Sequence, residues 1–314
     1  MNQSEHPKIE KVSTAVLRLG PLGLPKVLCS YLIVDRKISI VDCGPSAVIE
    51  ELLELVKQCG VSASEIDNLL LTHIHIDHAG GTGELVEKCP QVRVFVPKRG
   101  FQHLVDPSVL NPSARAILGD KLFGYWGAAK PVTESKVHSM ETEETVDLGG
   151  DSVRFIEARG HAPHQDVLLL QNSKVLFAAD ALGIHDDKNS ELHSPTTPPP
   201  SFNMDQQLED FQTIEKIEPR LLCFPHFRSL TPTKEFYSET RSLYKKWERI
   251  IGSYLEEKRV AGNSLAQSDI DRIFSRLQLE YPAYQNIPEN LEHQMKRVDI
   301  AGLAQWFDFK ARHV

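Results

Sequence analysis

The sequence predicts an α+β protein in which short strands alternate with helices, followed by a purely helical segment. Short apolar runs bounded by turn residues recur through the first two thirds of the chain, as in strands. Apolar residues at helical spacing separate several of these runs. Beyond Phe227 only helical spacing recurs, which predicts a boundary near Ser229. We therefore predict a first domain over residues 1–229 and a helical extension over residues 230–314.

The first domain contains the predicted strands. Asp35-Arg36 and the segment 171–174 are hairpin signals between two pairs of them. A helix with Leu52 and Val56 on its apolar face ends at Gly60, and further helices are predicted over residues 83–88 and 204–217. The predicted strands are residues 12–19, 27–34, 37–41, 69–71, 93–96, 146–148, 152–158, 167–170, 175–178 and 221–224.

The extension begins at Thr231-Pro232, a capping hydroxyl followed by a proline suited to the first helical position. A long amphipathic helix is predicted to follow, with Trp247 and Ile251 on its apolar face. Residues 264–277 and 288–309 predict further helices. We expect this segment to cover the pocket, to pack on the core or to form a homodimer.

Composition narrows the class of partner. The chain has 314 residues and a formal net charge of −8, which argues against a sequence-independent nucleic-acid binder, since such proteins need a broad basic face. Arg241, Lys245, Lys246 and Arg249 are interleaved with glutamates, as on a solvated helix face. A small-molecule substrate is therefore expected rather than a nucleic acid.

Cysteine usage and the termini predict the compartment. Five scattered cysteines without a Cys-x-x-Cys pair indicate free thiols rather than a disulfide framework or a cysteine zinc site. The first residues contain no apolar signal core, and no apolar run approaches the length of a membrane span. We therefore expect a soluble, cytoplasmic protein with no membrane partner.

The segment Thr72–Gly81 holds four metal-ligand candidates within six residues: His73, His75, Asp77 and His78. If the chain stays extended there, His73 and His75 point to one side, roughly 7 Å apart at the backbone. Two imidazoles at this spacing can converge on one ion at about 2.1 Å each. Burying such a polar cluster at a strand end costs desolvation free energy, which a bound metal offsets.

Three further candidates follow strand-like runs downstream: His161, Asp180 and His226. A single histidine is more often structural than metal-bound, and an aspartate that closes a strand is often a capping or hairpin residue. Their order behind the first motif favours a shared metal site.

The His-x-His-x-Asp-His motif, the later Gly-His, the strand-terminal aspartate and the final histidine together resemble the metallo-β-lactamase-fold hydrolase superfamily. The resemblance spans about residues 10–230 and includes the turn Asp42-Cys43-Gly44. It implies a four-layer αββα sandwich of two mixed sheets. It also implies that His73, His75 and His161 hold one metal ion, that Asp77, His78 and His226 hold a second, and that Asp180 bridges both.

Nitrogen and carboxylate ligands suit Zn²⁺, with Fe²⁺ or Mn²⁺ as alternatives. Two ions about 3.5–4 Å apart lower the pKa of a bridging water, and the bridging hydroxide attacks a carbonyl or phosphorus centre. Asp77 is the predicted catalytic carboxylate, which orients the nucleophile or returns a proton. Asp42 fits either a histidine-positioning role or a turn role, and the sequence leaves both open.

Two differences between this sequence and known subfamilies narrow the range of expected substrates. Gly183 stands where quorum-sensing lactonases tend to carry a tyrosine, and the segment 160–165 departs from the usual glyoxalase II pattern. We predict hydrolysis of a small carboxylic ester, thioester or lactone. A phosphodiesterase or nuclease, and a regulatory binding protein that keeps the metal site, remain alternatives. The roles of His164, of the insertion 98–145 (a lid, with Gly124 and Gly127 as hinges) and of the proline-rich loop 194–200 stay open.

Overall fold

The computed structural model describes residues 9–23, 28–185, 193–226, 228–260, 266–286 and 295–313. They form two compact units. The sheet unit comprises the described residues up to Glu157, His164–Ala179 and Glu218–Thr231. The helical unit comprises Ala158–Pro163, Asp180–Ile217 and the described residues from Pro232 onward. The predicted division at residues 229 and 230 stays a prediction.

The first sheet of the sheet unit has seven strands in chain order. The first four strands pair antiparallel and the last four pair parallel. Its strands are β1 (Ile9–Lys11), β2 (Val16–Leu22), β3 (Leu28–Ile33), β4 (Ile38–Val41), β5 (Ile66–Leu70), β6 (Arg93–Pro97) and β7 (Val137–Met140). The helices of this unit are α1 (Ile49–Gln58), α2 (Ile76–Ala79), α3 (Thr82–Lys88), α4 (Phe101–Val105) and α5 (Leu110–Trp126).

The second sheet of this unit has six strands and is also mixed. Its strands are β8 (Thr145–Asp147), β9 (Ser152–Glu157), β10 (Asp166–Leu170), β11 (Val175–Phe177), β14 (Leu221–Cys223) and β15 (Ser229–Leu230). The strand order across the sheet is β15-β14-β11-β10-β9-β8, in which only β11 and β14 pair parallel.

The run Leu69-Leu70-Leu71 shows how the sheets pack. Leu70 belongs to the cluster between the two sheets, with Phe155 and Phe177 of the second sheet. Leu69 and Leu71 belong to the opposite cluster, with the apolar face of α1. Alternation along a strand explains this division, and burial on both faces explains the continuous apolar run. Two sheets packed face to face, with helices on one outer face, agree with the predicted sandwich.

Among its described residues, the helical unit contains an antiparallel strand pair, β12 (Ile184–His185) with β13 (His193–Ser194), and four α-helices. The helices are α6 (Met204–Ile217), α7 (Lys234–Val260), α8 (Gln267–Glu280) and α9 (Ala301–His313), with a π-helical turn over Met295–Ile300 before α9. The predicted helices are confirmed, except that residues 264–265 and 288–294 lie outside the described residues. Nowhere in the described chain does a helix combine the length and apolarity needed to cross a membrane.

The first predicted strand, residues 12–19, was wrong in its extent. The chain forms β1 before it and turns at Ser13, whose N–H donates to the Val16 carbonyl at 3.2 Å. The strand then continues as β2 to Leu22. Short polar residues at this turn interrupt an otherwise β-rich run, as they commonly do.

Asp269, at the start of α8, predicts a pH dependence of stability. Its carboxylate pairs with Lys258 and accepts hydrogen bonds from the Tyr254 hydroxyl at 2.6 Å and the Ala266 N–H at 2.5 Å. These contacts, with Lys258 first, hold the pKa of Asp269 well below its usual value. A depressed pKa in the folded state contributes stability above the unfolded value of about 3.9, and this contribution is lost as the pH falls through the folded pKa.

We therefore expect the difference in melting temperature between the parent protein and Asp269→Asn to be largest near neutral pH. The difference should shrink steadily below about pH 4, where the unfolded carboxyl becomes protonated. Thermal unfolding between pH 7 and pH 2 measures it, with Asp120→Asn, an exposed carboxylate, as the control. A pH-independent difference would contradict the prediction.

Candidate metal centre

Two parallel strand ends bring Asp42 and Thr72 together in the sheet unit. Val41, the last residue of β4, pairs with Leu70, the last residue of β5. The next residues therefore leave the sheet at the same edge. One Asp42 carboxylate oxygen accepts the Thr72 N–H at 2.8 Å, and the other accepts the Thr72 hydroxyl at 2.7 Å. Asp42 is buried, so both bonds are shielded from water.

This pair orients two of the predicted histidine ligands. The Thr72 hydroxyl gives its proton to Asp42, so its oxygen accepts from Nδ1 of His73, 3.0 Å away. Nδ1 of His78 donates to Asp42 at 3.0 Å. These bonds assign the protons to Nδ1 and leave Nε2 of both rings with a lone pair for a metal. Asp42 thus positions histidines, and its φ of +50° shows that it also forms the turn.

Asp77, His78 and His226 offer three donor atoms that lie within 4.8 Å of one another. Asp77 Oδ2 is 3.6 Å from His78 Nε2 and 3.8 Å from His226 Nε2. Two ligands at about 2.1 Å from one tetrahedral ion are about 3.4 Å apart. The observed separations are too long for hydrogen bonds but close to that spacing. The donor set therefore fits a divalent metal.

His73 and His75 also converge as predicted. His73 Nε2 lies 3.1 Å from His75 Nδ1, and His75 has an extended backbone with φ −57° and ψ 149°. Side chains two residues apart on extended backbone share a side. Five of the seven predicted ligands are thus brought together in pairs or triplets within the sheet unit.

The turn that carries His226 is tied to β3. The Tyr31 hydroxyl donates to the Phe224 carbonyl at 2.6 Å, and the Cys29 N–H donates to the Pro225 carbonyl at 2.6 Å. Tyr31 is almost fully buried. These bonds fix the turn just after β14 and hold His226 beside Asp77.

The helical unit contains the other two predicted ligands. His161 Nε2 is 3.4 Å from Asp180 Oδ2, again the spacing of two ligands on one ion. His161 Nδ1 donates to the Thr196 carbonyl at 3.1 Å, which places the proton on Nδ1 and the lone pair on Nε2, the nitrogen suited to bind a metal. All three residues are buried.

Helix α6 braces the backbone beside both of these ligands. Asp210 accepts the Gly160 N–H at 2.6 Å, and Gln207 donates from Nε2 to the Ala181 carbonyl at 2.6 Å. Gly160 must be glycine, because a Cβ there would lie 2.4 Å from the Gln207 Cα. The conformation next to His161 is therefore set by direct contact with the helix.

His164 lies beside the predicted ligands of the sheet unit. Its ring centroid is 5.1 Å from that of His75, with the rings perpendicular, and the side chain is partly exposed. The insertion also reaches this motif. Trp126 of α5 is buried against Ile76, between His75 and Asp77 in the chain. The lid role of the insertion stays a prediction.

The insertion bends at a glycine that the sequence did not single out. Gly119 interrupts α5 with φ +78° and ψ 162°, a conformation that non-glycine residues rarely adopt. Gly127 ends the helix with φ +83°. The hinge roles of Gly124 and Gly127 stay predictions.

The cysteines are free, as predicted. Cys43 follows Asp42 directly, yet burial raises the pKa of its thiol to about 12. A thiol with such a pKa is protonated at neutral pH and is not a nucleophile there. The donor groups that converge here are nitrogen and carboxylate oxygen.

The sequence did not identify Thr72 and Thr196 as functional residues. Thr72 could have been suspected from its place between a buried strand and the first histidine. Thr196 acts on His161 through its backbone carbonyl, and no side-chain pattern reports such a contact.

Comparison with known proteins decides the family. Residues 26–226 match the family model described as the metallo-beta-lactamase superfamily. The chain belongs to the metallo-β-lactamase superfamily. The metallo-β-lactamase fold predicted from the sequence is thereby confirmed, with its mixed sheets and its C-terminal helices.

Three known proteins are similar to this chain to different extents. The metallo-beta-lactamase fold-containing protein ST1585 of Sulfurisphaera tokodaii is 30% identical over 218 residues, 68% of this chain and 77% of the relative. Its solved structure has a TM-score of 0.61 at 27% identity, covering 73% of this chain and 86% of that one. TTHA1429 from Thermus thermophilus shares the fold, with a TM-score of 0.70 at 17% identity over 96% of this chain and 95% of that one.

The third relative, the hydroxyacylglutathione hydrolase of Buchnera aphidicola, is similar over a shorter stretch. It is 39% identical over 84 residues, 27% of this chain and 31% of the relative.

Replacing Asp42 with asparagine is expected to weaken zinc binding about 10–100-fold. The substitution removes the charge that His78 and Thr72 hydrogen-bond to, and the ring of His78 loses its orientation. Competition with a chromophoric chelator measures the affinity. The control is Asp67→Asn, which makes the same change at another carboxylate of the sheet unit, one that accepts the Ile38 N–H. Equal affinities in both variants would contradict the prediction.

Proposed function

We propose that this protein is a metal-dependent hydrolase that cleaves a small carboxylic ester, thioester or lactone. The proposal rests on one observation. The predicted ligands are all nitrogen or carboxylate oxygen, and buried hydrogen bonds from His78 to Asp42 and from His161 to the Thr196 carbonyl orient two of the rings. In the proposed centre, His73, His75 and His161 hold one divalent ion, Asp77, His78 and His226 hold the second, and Asp180 contacts both. Zinc is the first candidate, with iron and manganese as alternatives.

Two ions bound there would supply Lewis acidity and a water of lowered pKa. The carboxylate that transfers protons in the proposed reaction is Asp77. The Asp77 side chain is 21% exposed, whereas those of His78 and His226 are 9% exposed or less. In the proposed reaction the accessible Asp77 orients the attacking water, accepts its proton and returns a proton to the leaving group.

The class of bond is inferred from two sources. The similarity to a hydroxyacylglutathione hydrolase over 84 residues supports a thioester among the candidate substrates. The net charge of −8 disfavours a polyanionic substrate such as a nucleic acid. A small-molecule substrate is thus the proposal. The homodimer through the C-terminal helices stays a prediction.

The test combines metal analysis with a substrate panel. Protein loaded with zinc, iron or manganese is assayed on an activated ester, a thioester, a lactone and bis(p-nitrophenyl) phosphate. The proposal expects about two metal equivalents and faster cleavage of the carboxyl compounds. His75→Ala/Asp180→Ala should lose both. The matched control is His138→Ala/Asp147→Ala, which removes the same side chains from exposed positions.

Each alternative has its own outcome. Faster cleavage of the phosphodiester would replace the proposal with a phosphodiesterase. A panel without turnover, on protein that holds its metals, would favour a regulatory binding protein. Turnover that survives unchanged in the double variant would overturn the assigned ligand set.

A further inference from the structure

The proline-rich loop, residues 194–200, contacts both predicted ligands of the helical unit through one residue. The Thr196 carbonyl accepts from His161 Nδ1 at 3.1 Å, and the Thr196 hydroxyl donates to the Asp180 backbone carbonyl at 2.6 Å. Thr196 is almost fully buried. A shift of this threonine would therefore move the ring of His161 and the backbone of Asp180 together.

Helix α7 holds Thr196 through a single hydroxyl. The Tyr244 oxygen accepts the Thr196 N–H at 3.1 Å and lies 3.3 Å from the Thr196 hydroxyl oxygen. Because the Thr196 hydroxyl donates to Asp180, Tyr244 is the donor in that second contact. Tyr244 is 1% exposed, so no solvent water can replace its hydroxyl if it is removed.

The π-helical turn before α9 holds the next residue, Thr197. Asp299 Oδ1 accepts the Thr197 N–H at 3.0 Å, and the Asp299 carbonyl accepts the Thr197 hydroxyl at 2.6 Å. Both residues are fully buried. The start of α9 also touches this loop, since a Cβ on Gly302 would lie 1.9 Å from the Thr197 carbonyl oxygen.

Because these contacts are buried, water cannot replace a hydrogen-bond partner that is removed. A buried N–H that loses its acceptor remains unsatisfied, which is unfavourable, unless the loop moves. Burial also raises the pKa of Asp299, which favours the neutral carboxyl. Asparagine resembles that neutral form in shape and keeps an oxygen that can accept the Thr197 N–H.

We propose that Tyr244 and Asp299 are positioning residues of the metal site, and that they act through Thr196 and Thr197 on His161 and Asp180. The inference rests on the proposed function, because it takes His161 and Asp180 as ligands. It gives the C-terminal helices a task within the metal site itself, distinct from the roles in covering, packing or dimerisation predicted from the sequence.

The full-length protein and the metal alone provide the test. Tyr244→Phe removes one oxygen atom and is expected to weaken one of two zinc equivalents about 10–100-fold. It should also change the visible absorption bands of the cobalt-substituted protein, because the ligand geometry changes. Tyr254→Phe is the matched control. Tyr254 is a buried tyrosine on the same helix, and its hydroxyl bonds to Asp269 rather than to the loop.

A second pair of variants tests Asp299. Asp299→Ala removes the acceptor of the Thr197 N–H and should weaken zinc binding, whereas Asp299→Asn keeps an acceptor and should bind zinc as the parent does. The control is Asp269→Ala, which removes an equally buried carboxylate from α8. If Asp299→Ala does not fold, Tyr244→Phe decides alone.

Parent-like zinc affinity and an unchanged cobalt spectrum in Tyr244→Phe would overturn the inference. Equal losses in Tyr254→Phe would also overturn it, since they would trace to general destabilisation. The parent protein separates this failure from that of the proposed function. If the parent protein binds two zinc ions and Tyr244→Phe binds them equally well, this inference fails but the proposed function stands. If the parent protein binds no zinc, both fail.

Discussion

Replacing Asp77 with asparagine is expected to lower kcat per bound metal by about 10²–10⁴-fold, the usual contribution of a general acid or base. Asparagine keeps the shape of the side chain and one oxygen that faces His78 and His226, which lie 3.6 and 3.8 Å from Asp77 Oδ2. It cannot accept a proton from water at neutral pH. The loss should therefore fall mainly on kcat rather than on KM.

The measurement is steady-state kinetics on the best ester or thioester, with metal content determined on the same samples. Asp120→Asn makes the same chemical change at an exposed ion pair and should retain parental kinetics. If kcat per bound metal in Asp77→Asn stays at the parental level, Asp77 has no role in proton transfer. If activity falls only in proportion to the metal content, Asp77 acts as a metal ligand and not in proton transfer.

The candidate site could be predicted from the sequence because its chemistry is concentrated at strand ends. His73 and His75 follow β5 closely, and His226 follows β14. Apolar runs identify buried strands by themselves, so the polar residues just beyond them stand out. The spacing of His73 and His75 also fixed their shared direction, which the distance of 3.1 Å between their nitrogen atoms agrees with.

The atoms that orient those ligands could not be predicted in the same way. Thr196 acts through a backbone carbonyl, and Tyr244 reaches it from a helix 48 residues further along the chain. Helical spacing placed Tyr244 on the apolar face of α7, where a tyrosine is expected to pack rather than to position a ligand. A hydrogen bond between distant segments leaves no periodic trace in the sequence. Contacts of this kind follow only from the fold.

Secondary structure was predictable for a related reason. The continuous run Leu69-Leu70-Leu71 is buried on both faces of its strand, and few other environments favour such a run. The kink at Gly119, which bends α5 with φ +78°, was harder to predict from the sequence. A glycine inside a helical pattern is compatible with either a straight helix or a kink, so the kink follows only from the fold.

Truncating Phe177 is expected to have the largest effect on stability. Phe177 is 1% exposed in the cluster between the two sheets, and its ring meets that of Tyr31 edge to face with centroids 5.3 Å apart. Phe177→Ala should lower the free energy of unfolding by about 3–5 kcal/mol, through lost burial and the cavity that remains. That is a large part of the about 5–15 kcal/mol that stabilises a typical domain.

The loss of Phe177 should also affect metal binding at the proposed centre. Tyr31 donates to the Phe224 carbonyl, and the turn at Phe224 carries His226. A cavity beside Tyr31 frees its ring to shift, so zinc binding should weaken together with stability. Urea unfolding and zinc titration measure the two effects. Phe309→Ala, at a position 59% exposed, should change neither. A Phe177→Ala variant as stable as the parent would show that the sheets do not pack through this residue, and a stability loss with unaltered zinc affinity would separate the core from the His226 turn.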